Sequence, residues 1–114
     1  MERTQDSLAI LDDGECLRAA LAGEIDHHAA RPIREALDAA LFRVRPHEMV
    51  LDFTRVHFMD SSGIALIMGR AEIARKMGCR VTVRGLSYAQ ERLVRLSGIE
   101  RLEGVTVERW EVKK

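Results

Sequence analysis

Two adjacent serines, Ser61 and Ser62, are the residues of this chain whose presence most needs a chemical explanation. They lie between Asp60 and Gly63 in the stretch HFMDSSGIALIMGR, where an apolar run follows them at once. Serine is a weak residue for a helix interior, because its hydroxyl competes for backbone hydrogen bonds. The pair could therefore cap a helix, act as a nucleophile or accept a phosphate, and each role implies a different kind of protein.

Nucleophilic catalysis is disfavoured by the polar residues that the sequence offers. The stretch is not G-x-S-x-G, so the nucleophile elbow of the serine hydrolases is missing. Asp26, His27 and His28 are neighbours in sequence, which gives no reason for a base to lie near the Ser61 hydroxyl. The same three residues lack a further spaced ligand for a metal ion, and neither glycine-rich nucleotide fingerprint occurs. We therefore expect no catalytic activity, no metal ion and no cofactor.

The residues on either side of the serines predict the start of a helix. Asp60 is expected to be the N-cap, with its carboxylate accepting a hydrogen bond from the backbone N–H of Ser62 or Gly63. Met59 and Ile64 then occupy the two positions of a hydrophobic staple, which fixes how the chain enters the helix.

This cap places Ser61 at the first helical position, at the positive end of the helix dipole. An anion there is stabilised by about 0.3–1 kcal/mol when exposed. A phosphate would add a charge of roughly −1.5 to −2 that any docking protein must desolvate. Phosphorylation would thus change binding and leave the fold intact. A cap alone and a phosphate acceptor both fit the local residues.

Strand-like and helix-like stretches alternate along the chain. Short apolar runs, or alternation of apolar and polar residues, predict strands, and apolar residues three or four positions apart predict helices. The predicted order is β-β-α-β-α-β-α-β, with strands at 8–11, 16–21, 49–53, 80–84 and 105–107 and helices at 30–44, 61–77 and 87–97. This order predicts one α/β domain over residues 1–114, in which helices pack on a small mixed sheet.

Two details of the helices are also predicted. Residues 26–29 are expected to form a turn before the first helix, since Pro32 fits best near the first helical turn. The third helix is expected to bury Ala89 or Leu93 together with Leu96.

Charge and hydropathy narrow the classes of partner. The chain has 18 Lys and Arg against 18 Asp and Glu, for a formal net charge of zero, whereas nucleic-acid binders usually carry a basic excess. Apolar runs are far shorter than the roughly 20 residues that span a bilayer, and no secretory signal pattern opens the chain. We therefore expect a cytoplasmic protein that binds neither nucleic acid nor a membrane.

Four segments together resemble a known family. They are GEIDHH at 23–28, VLDF at 50–53, FMDSSGIALIMGR at 58–70 and RLVRLSGI at 92–99. The family is that of the anti-sigma factor antagonists with the STAS fold, and the sporulation anti-anti-sigma factor is the nearest likeness. The D-S-S-G motif alone is short, but its distance from G-E-I-D-H-H makes the resemblance specific.

The resemblance implies a switch at Ser61. In that family the first serine of D-S-S-G is phosphorylated by an anti-sigma factor, which is a small serine kinase of the GHKL ATPase type. The unphosphorylated antagonist binds this kinase and releases its sigma factor, phosphorylation breaks the complex, and a PP2C-type phosphatase reverses the modification. By position, the resemblance implies a partner-binding surface made of Asp26, His27, Asp60, Ser61, Ser62 and Gly63.

The chain departs from the family at its end, and two other functions stay open. The family usually has a helix after the last strand, whereas here only a few residues follow Val107, so a C-terminal helix is expected to be short or absent. One alternative is a STAS regulator of another partner-switching pathway, of the stress type. The other is a STAS domain that binds a nucleotide or another small ligand.

Overall fold

A computed structural model describes residues 7–110 with their side chains and residues 2–5 by their backbone. The elements follow in the order β1 (Glu2–Gln5), β2 (Leu8–Asp12), β3 (Cys16–Ile25), α1 (His27–Val44), β4 (Glu48–Met59), α2 (Ser61–Lys76), β5 (Arg80–Arg84), α3 (Tyr88–Leu96), a 3-10 helix (Ile99–Arg101) and β6 (Val105–Val107). The predicted α/β class and the predicted order of elements are confirmed, with β1 and the 3-10 helix as additions.

The six strands lie in the sheet in their sequence order. β1, β2 and β3 pair antiparallel, and β3, β4, β5 and β6 pair parallel, so the predicted mixed sheet is confirmed. Successive right-handed crossovers in one direction place their helices on the same face of a sheet. Accordingly α1 and α2 pack against each other, α1 on β3 and α2 on β4 and β5.

The core lies between these two helices and the sheet. Every second residue of the central strands is buried there, as the two-residue period of a strand requires. The strands contribute Leu17, Ala19, Leu21, Met49, Leu51, Phe53, Val81 and Val83, and α1 contributes Ile33, Leu37 and Leu41.

The start of α1 differs from its prediction. The helix begins at His27, and Asp26 is its N-cap, so residues 26–29 are not a turn that precedes it. Pro32 lies inside the helix, where it cannot donate to the carbonyl of residue 28. The cap directly after β3 outweighs that lost hydrogen bond, because it supplies an acceptor to the first turn.

Strands β3 and β4 are longer than predicted. They continue to pair with each other as far as Ile25 and Met59, beyond Asp52, where β5 has ended. Two register shifts interrupt this stretch of the pairing. The shifts break the two-residue alternation of buried and exposed residues that the prediction relied on.

The prediction for the buried face of α3 was wrong. Its buried residues are Gln90 and Val94, while Leu93 and Leu96 are exposed, Leu96 by 79%. The Gln90 amide is buried at no loss of hydrogen bonding, because its Nε2 donates to the carbonyl of Val56 at 3.0 Å.

The chain after β6 continues without a helix through Trp110, and residues 111–114 lie outside the described residues. Within its described part, no helix is long and apolar enough to cross a membrane.

Candidate functional site

The end of β4 delivers the serines to the surface through a capped turn. Asp60 has an extended backbone, and its Oδ1 accepts the backbone N–H of Ser62 at 2.8 Å. Its carbonyl also accepts the N–H of Gly63 at 3.0 Å. The predicted N-cap is thus confirmed, and Ser61 becomes the first residue of α2.

The two serines differ in their surroundings. Ser61 is exposed, whereas Ser62 is half-buried. The first turn of α2 carries no acidic residue of its own, so the Asp60 cap is the carboxylate that this turn supplies at the positive end of its dipole. A group added to the Ser61 hydroxyl therefore enters solvent at the positive end of the helix dipole and displaces nothing in the core.

Gly63 fits this turn closely to the strand that precedes it. A Cβ placed on Gly63 would lie 2.2 Å from Cγ and 2.5 Å from Sδ of Met59, which is itself buried. No side chain larger than hydrogen fits there without moving Met59. The residue that packs on Met59 is thus Gly63. Ile64 is partly buried in the core, and its staple contact with Met59 stays a prediction.

The N-terminus of α1 lies beside that of α2, because β3 and β4 are parallel and end at the paired residues Ile25 and Met59. The backbone N–H of Asp60 approaches the carbonyl of Ile25 at 3.5 Å. Asp26, the residue directly after β3, caps α1 by accepting the N–H of Ala29 at 2.9 Å. This hydrogen bond holds the pKa of the Asp26 carboxyl below its usual value.

The structure therefore brings all six residues of the predicted partner-binding surface together at the carboxyl ends of β3 and β4, where Gly63 is buried. His27 follows Asp26 and is exposed, with its ring 5.8 Å from that of His28 in an edge-to-face arrangement. The role of this surface in binding is not established by its geometry and stays a prediction.

Sequence reasoning missed a groove of about 440 Å³ next to the serines. It runs between α1 and α2, and we call it the α1–α2 groove. Its lining consists of His27, His28, Ala30, Arg31, Arg34, Ser62, Ala65 and Leu66. The signal in the sequence was the spacing of His27, Arg31 and Arg34, which places three basic side chains on one face of a helix.

Sequence reasoning also missed a buried ion pair between the same helices. Arg70 of α2 is 4% exposed, and its Nε lies 2.8 Å from Oδ1 of Asp38 on α1. Burial lowers the pKa of the Arg70 guanidinium, and the charge of Asp38 opposes that shift. The signal was an arginine within the apolar stripe of α2, between Ile67 and Ala74.

No set of three or more His, Cys, Asp or Glu side chains within the described ranges is arranged to hold a metal ion. The chemistry that this surface offers is that of one exposed and one half-buried hydroxyl, two helix N-termini and basic side chains.

Comparison with known proteins identifies the fold. A family model described as "Mlab, STAS domain" matches residues 9–106. The unphosphorylated form of the anti-sigma factor antagonist SpoIIAA superposes with a TM-score of 0.77 at 26% identity, covering 90% of this chain and 89% of that one. The phosphorylated form of the Bacillus protein gives a TM-score of 0.71, also at 26% identity, covering 90% of this chain and 92% of that one. The predicted STAS fold is confirmed.

Two curated relatives have been named for their function. The anti-sigma F factor antagonist of Paenibacillus polymyxa is 33% identical over 82 residues, which are 72% of this chain and 70% of that protein. The anti-sigma-B factor antagonist of Listeria monocytogenes is 31% identical over 80 residues, which are 69% of this chain and 68% of that protein. The two identities are too close to separate one sigma-factor pathway from the other.

Proposed function

This chain belongs to the STAS domain family, and we propose that it is an anti-sigma factor antagonist switched by phosphorylation of Ser61. In its unphosphorylated form it binds an anti-sigma factor and thereby frees the sigma factor that the anti-sigma factor holds. The chain is then a regulatory binding protein and a phosphorylation substrate, and it contributes no catalytic group of its own.

The observation that carries this proposal is the placement of the Ser61 hydroxyl. It is exposed at the first position of α2, immediately after the Asp60 cap, on a helix whose opposite face is packed in the core. An acceptor serine must be reached by a kinase without unfolding of the domain. A phosphate at this position is also favoured by the helix dipole, so modification leaves the fold stable.

The modification exchanges an electrically neutral surface group for a strongly negative one. An anti-sigma factor kinase of the GHKL type transfers the γ-phosphoryl group of ATP to the Ser61 oxygen, with release of ADP and of the hydroxyl proton. The phosphoserine carries roughly −1.5 to −2 charge, which a docked partner would have to desolvate, and the complex separates. A PP2C-type phosphatase then returns the hydroxyl by hydrolysis and releases inorganic phosphate.

The binding surface in this proposal is the edge formed by the two helix N-termini. Asp26 and His27 supply it from α1, and Asp60, Ser61, Ser62 and Gly63 supply it at the start of α2. Its members share a position directly after the paired ends of β3 and β4. Since the kinase uses ATP, we place the switch in the cytoplasm.

The test combines site mapping with binding. The protein is incubated with the anti-sigma F factor of Paenibacillus polymyxa and ATP, and the phosphate is mapped by mass spectrometry. We expect it on Ser61, with Ser62→Ala still modified and Ser61→Ala unmodified. Ser61→Ala should bind the anti-sigma factor as wild type does, and Ser61→Asp should bind about tenfold more weakly or worse. A phosphate mapped to another residue, or undiminished binding of Ser61→Asp, would refute the proposal.

A stress-type pathway is the second candidate, because the Listeria antagonist of an anti-sigma-B factor is nearly as similar as the Paenibacillus protein. The two are separated by parallel pull-downs with the anti-sigma F factor and the anti-sigma-B factor of those organisms. The G-E-I-D-H-H and F-M-D-S-S-G segments favour stronger retention of the former.

A further inference from the structure

We propose that the α1–α2 groove is the docking site for an acidic, extended segment of the partner protein, with Arg31 and Arg34 binding its carboxylates. This inference rests on the proposed function, since it specifies the chemistry by which the partner is recognised next to Ser61.

The charge of the groove comes from one wall. His27, Arg31 and Arg34 follow one another at intervals of four and three residues on α1, which places them on one helix face. At 1.5 Å per residue they span about 10.5 Å along the groove. This wall is therefore a row of basic side chains that a chain running alongside α1 could follow.

Arg31 and Arg34 make few stabilising interactions within the domain. Arg31 is paired with Glu35 at 3.7 Å, but the two side chains are 75% and 62% exposed, and exposed pairs at this spacing contribute little. Arg34 makes no ion pair or side-chain hydrogen bond with the part of the chain that is described. Both guanidinium groups are available to an incoming carboxylate, which suits their forked geometry.

The opposite wall contains no acid to neutralise them. It is formed by Ser62, Ala65 and Leu66 of α2. Of the acidic side chains on α1, Glu35 makes only the exposed pair with Arg31, and Asp38 lies against the buried Arg70. Asp26 caps the helix. A bound segment would thus meet basic groups on one side and small or apolar side chains on the other.

The arrangement favours an extended peptide over a small anion. A phosphate is typically held by several donors that converge on it, such as the free N–H groups of a helix N-terminus. Here the basic groups form a line. Alternate residues of an extended chain lie about 6.6 Å apart on one side, a spacing that neighbouring arginine side chains on a helix can reach. The segment expected is one with acidic residues at every second position and an apolar residue facing Leu66.

The groove also supplies a second reason for phosphorylation to weaken binding. Ser62 lies in its wall, and Ser61 is the residue before it in the first turn of α2. A phosphate on Ser61 places negative charge beside the arginines that would hold the acidic segment. The phosphate then repels the acidic segment and competes with it for Arg31 and Arg34.

The first experiment uses a hexaglutamate peptide as the probe. Unphosphorylated, isotope-labelled protein is titrated with it and followed by amide chemical shifts, with hexalysine and inorganic phosphate in separate titrations. We expect the shifts from hexaglutamate to concentrate at residues 27–34 and 62–66. The Arg31→Gln/Arg34→Gln variant should bind the peptide about tenfold more weakly. The matched Arg18→Gln/Arg43→Gln variant, which loses the same charge from exposed sites outside the groove, should bind as wild type.

The second experiment measures binding of the same variants to the anti-sigma F factor. Loss of about tenfold in Arg31→Gln/Arg34→Gln alone supports the proposal. Equal binding by both variants refutes the groove and leaves the antagonist function standing. If hexaglutamate binds in the groove but the wild type binds neither the anti-sigma F factor nor the anti-sigma-B factor, the antagonist function is refuted. The groove is then still a binding site for an acidic peptide. Scattered shifts, or inorganic phosphate binding the groove as well as the peptide, would overturn the acidic-segment proposal.

Discussion

The N-termini of α1 and α2 share the same backbone arrangement but carry different side chains. Each helix follows one of two paired parallel strands, and each begins with an aspartate that caps its first turn, Asp26 in α1 and Asp60 in α2. After the cap, α1 carries two exposed imidazoles, whereas α2 carries one exposed and one half-buried hydroxyl, followed by the buried Gly63. A common backbone arrangement thus positions imidazole groups and hydroxyl groups side by side.

The two turns also differ in how tightly they are held from below. The first turn of α2 lies directly on the end of β4, where Gly63 leaves no room for a Cβ above Met59. In α1 the fully buried residues begin later, at Ile33. The difference indicates that the position of Ser61 is fixed by steric contact with the sheet, while the basic wall depends on how α1 is tied to α2.

The largest effect is expected from removing the Asp38–Arg70 ion pair, which connects α1 to α2. Asp38→Ala leaves the Arg70 guanidinium buried without a counter-ion, and removal of one partner of a buried pair is strongly destabilising. Because the Asp38 side chain keeps 29% exposure, we expect a loss of about 3 kcal/mol in the free energy of unfolding, near the low end for such pairs. Urea denaturation of the two proteins measures it.

The reverse substitution is the control. Arg70→Met leaves Asp38 partly exposed, so that its carboxylate can turn to water, and fills part of the arginine site with an apolar side chain. We expect a loss below about 1 kcal/mol, and the double variant Asp38→Ala/Arg70→Met should be more stable than Asp38→Ala alone. An Asp38→Ala protein no less stable than Arg70→Met would mean that the buried Arg70 does not depend on Asp38 as its counter-ion.

The next effect compares two glycines of α2. Gly63→Ala adds a methyl group against Met59 and Gly69→Ala adds one where nothing lies within 4 Å. Overpacking costs about 1–3 kcal/mol, whereas alanine in an open helix position is favoured over glycine by about 1 kcal/mol. We expect Gly63→Ala to be less stable than wild type and Gly69→Ala more stable, with about 2 kcal/mol between them.

The same denaturation experiment decides this prediction, and Met59→Ala/Gly63→Ala tests its cause. Shortening Met59 removes the atoms that the new Cβ would meet, so Gly63→Ala should cost less in that background than in wild type. If Gly63→Ala and Gly69→Ala are stabilised alike, the close contact beneath the first turn of α2 does not exist.

The start of α2 could be predicted from the sequence because its causes are local. An aspartate directly before two serines and a glycine satisfies the N–H groups of the turn whatever the rest of the chain does. The resemblance then added the prediction that Ser61 accepts a phosphate, which stays a prediction and which capping alone could not distinguish from a structural role. For α1 the prediction was wrong, because Pro32 indicated a later start of the helix, whereas Asp26 at the end of β3 caps it.

The remaining features depend on contacts between distant segments. The lengths of β3 and β4 follow from their pairing with each other across register shifts. Gln90 is buried because the carbonyl of Val56 is within reach of its amide, and the sequence offers no sign of that partner. The α1–α2 groove likewise exists only once two helices lie side by side, although its basic row can be read from α1 alone.

The smallest effect concerns the charge of the α1 cap and depends on pH. Accepting the Ala29 N–H keeps the pKa of Asp26 low in the folded protein, so its carboxylate stabilises the fold above the pKa of the unfolded chain, and this contribution is lost as the pH falls through the folded pKa. Asparagine also caps helices but does not titrate. The stability difference between wild type and Asp26→Asn should therefore shrink between about pH 7 and about pH 2.5.

Urea midpoints of both proteins at the two pH values measure this difference. Asp13, Glu72 and Glu91 also have lowered pKa values, but their contributions to the pH dependence cancel because both proteins contain them. An equal difference at both values would mean that the charge of Asp26 contributes nothing to its cap, and the two helix N-termini would then differ in their side chains alone.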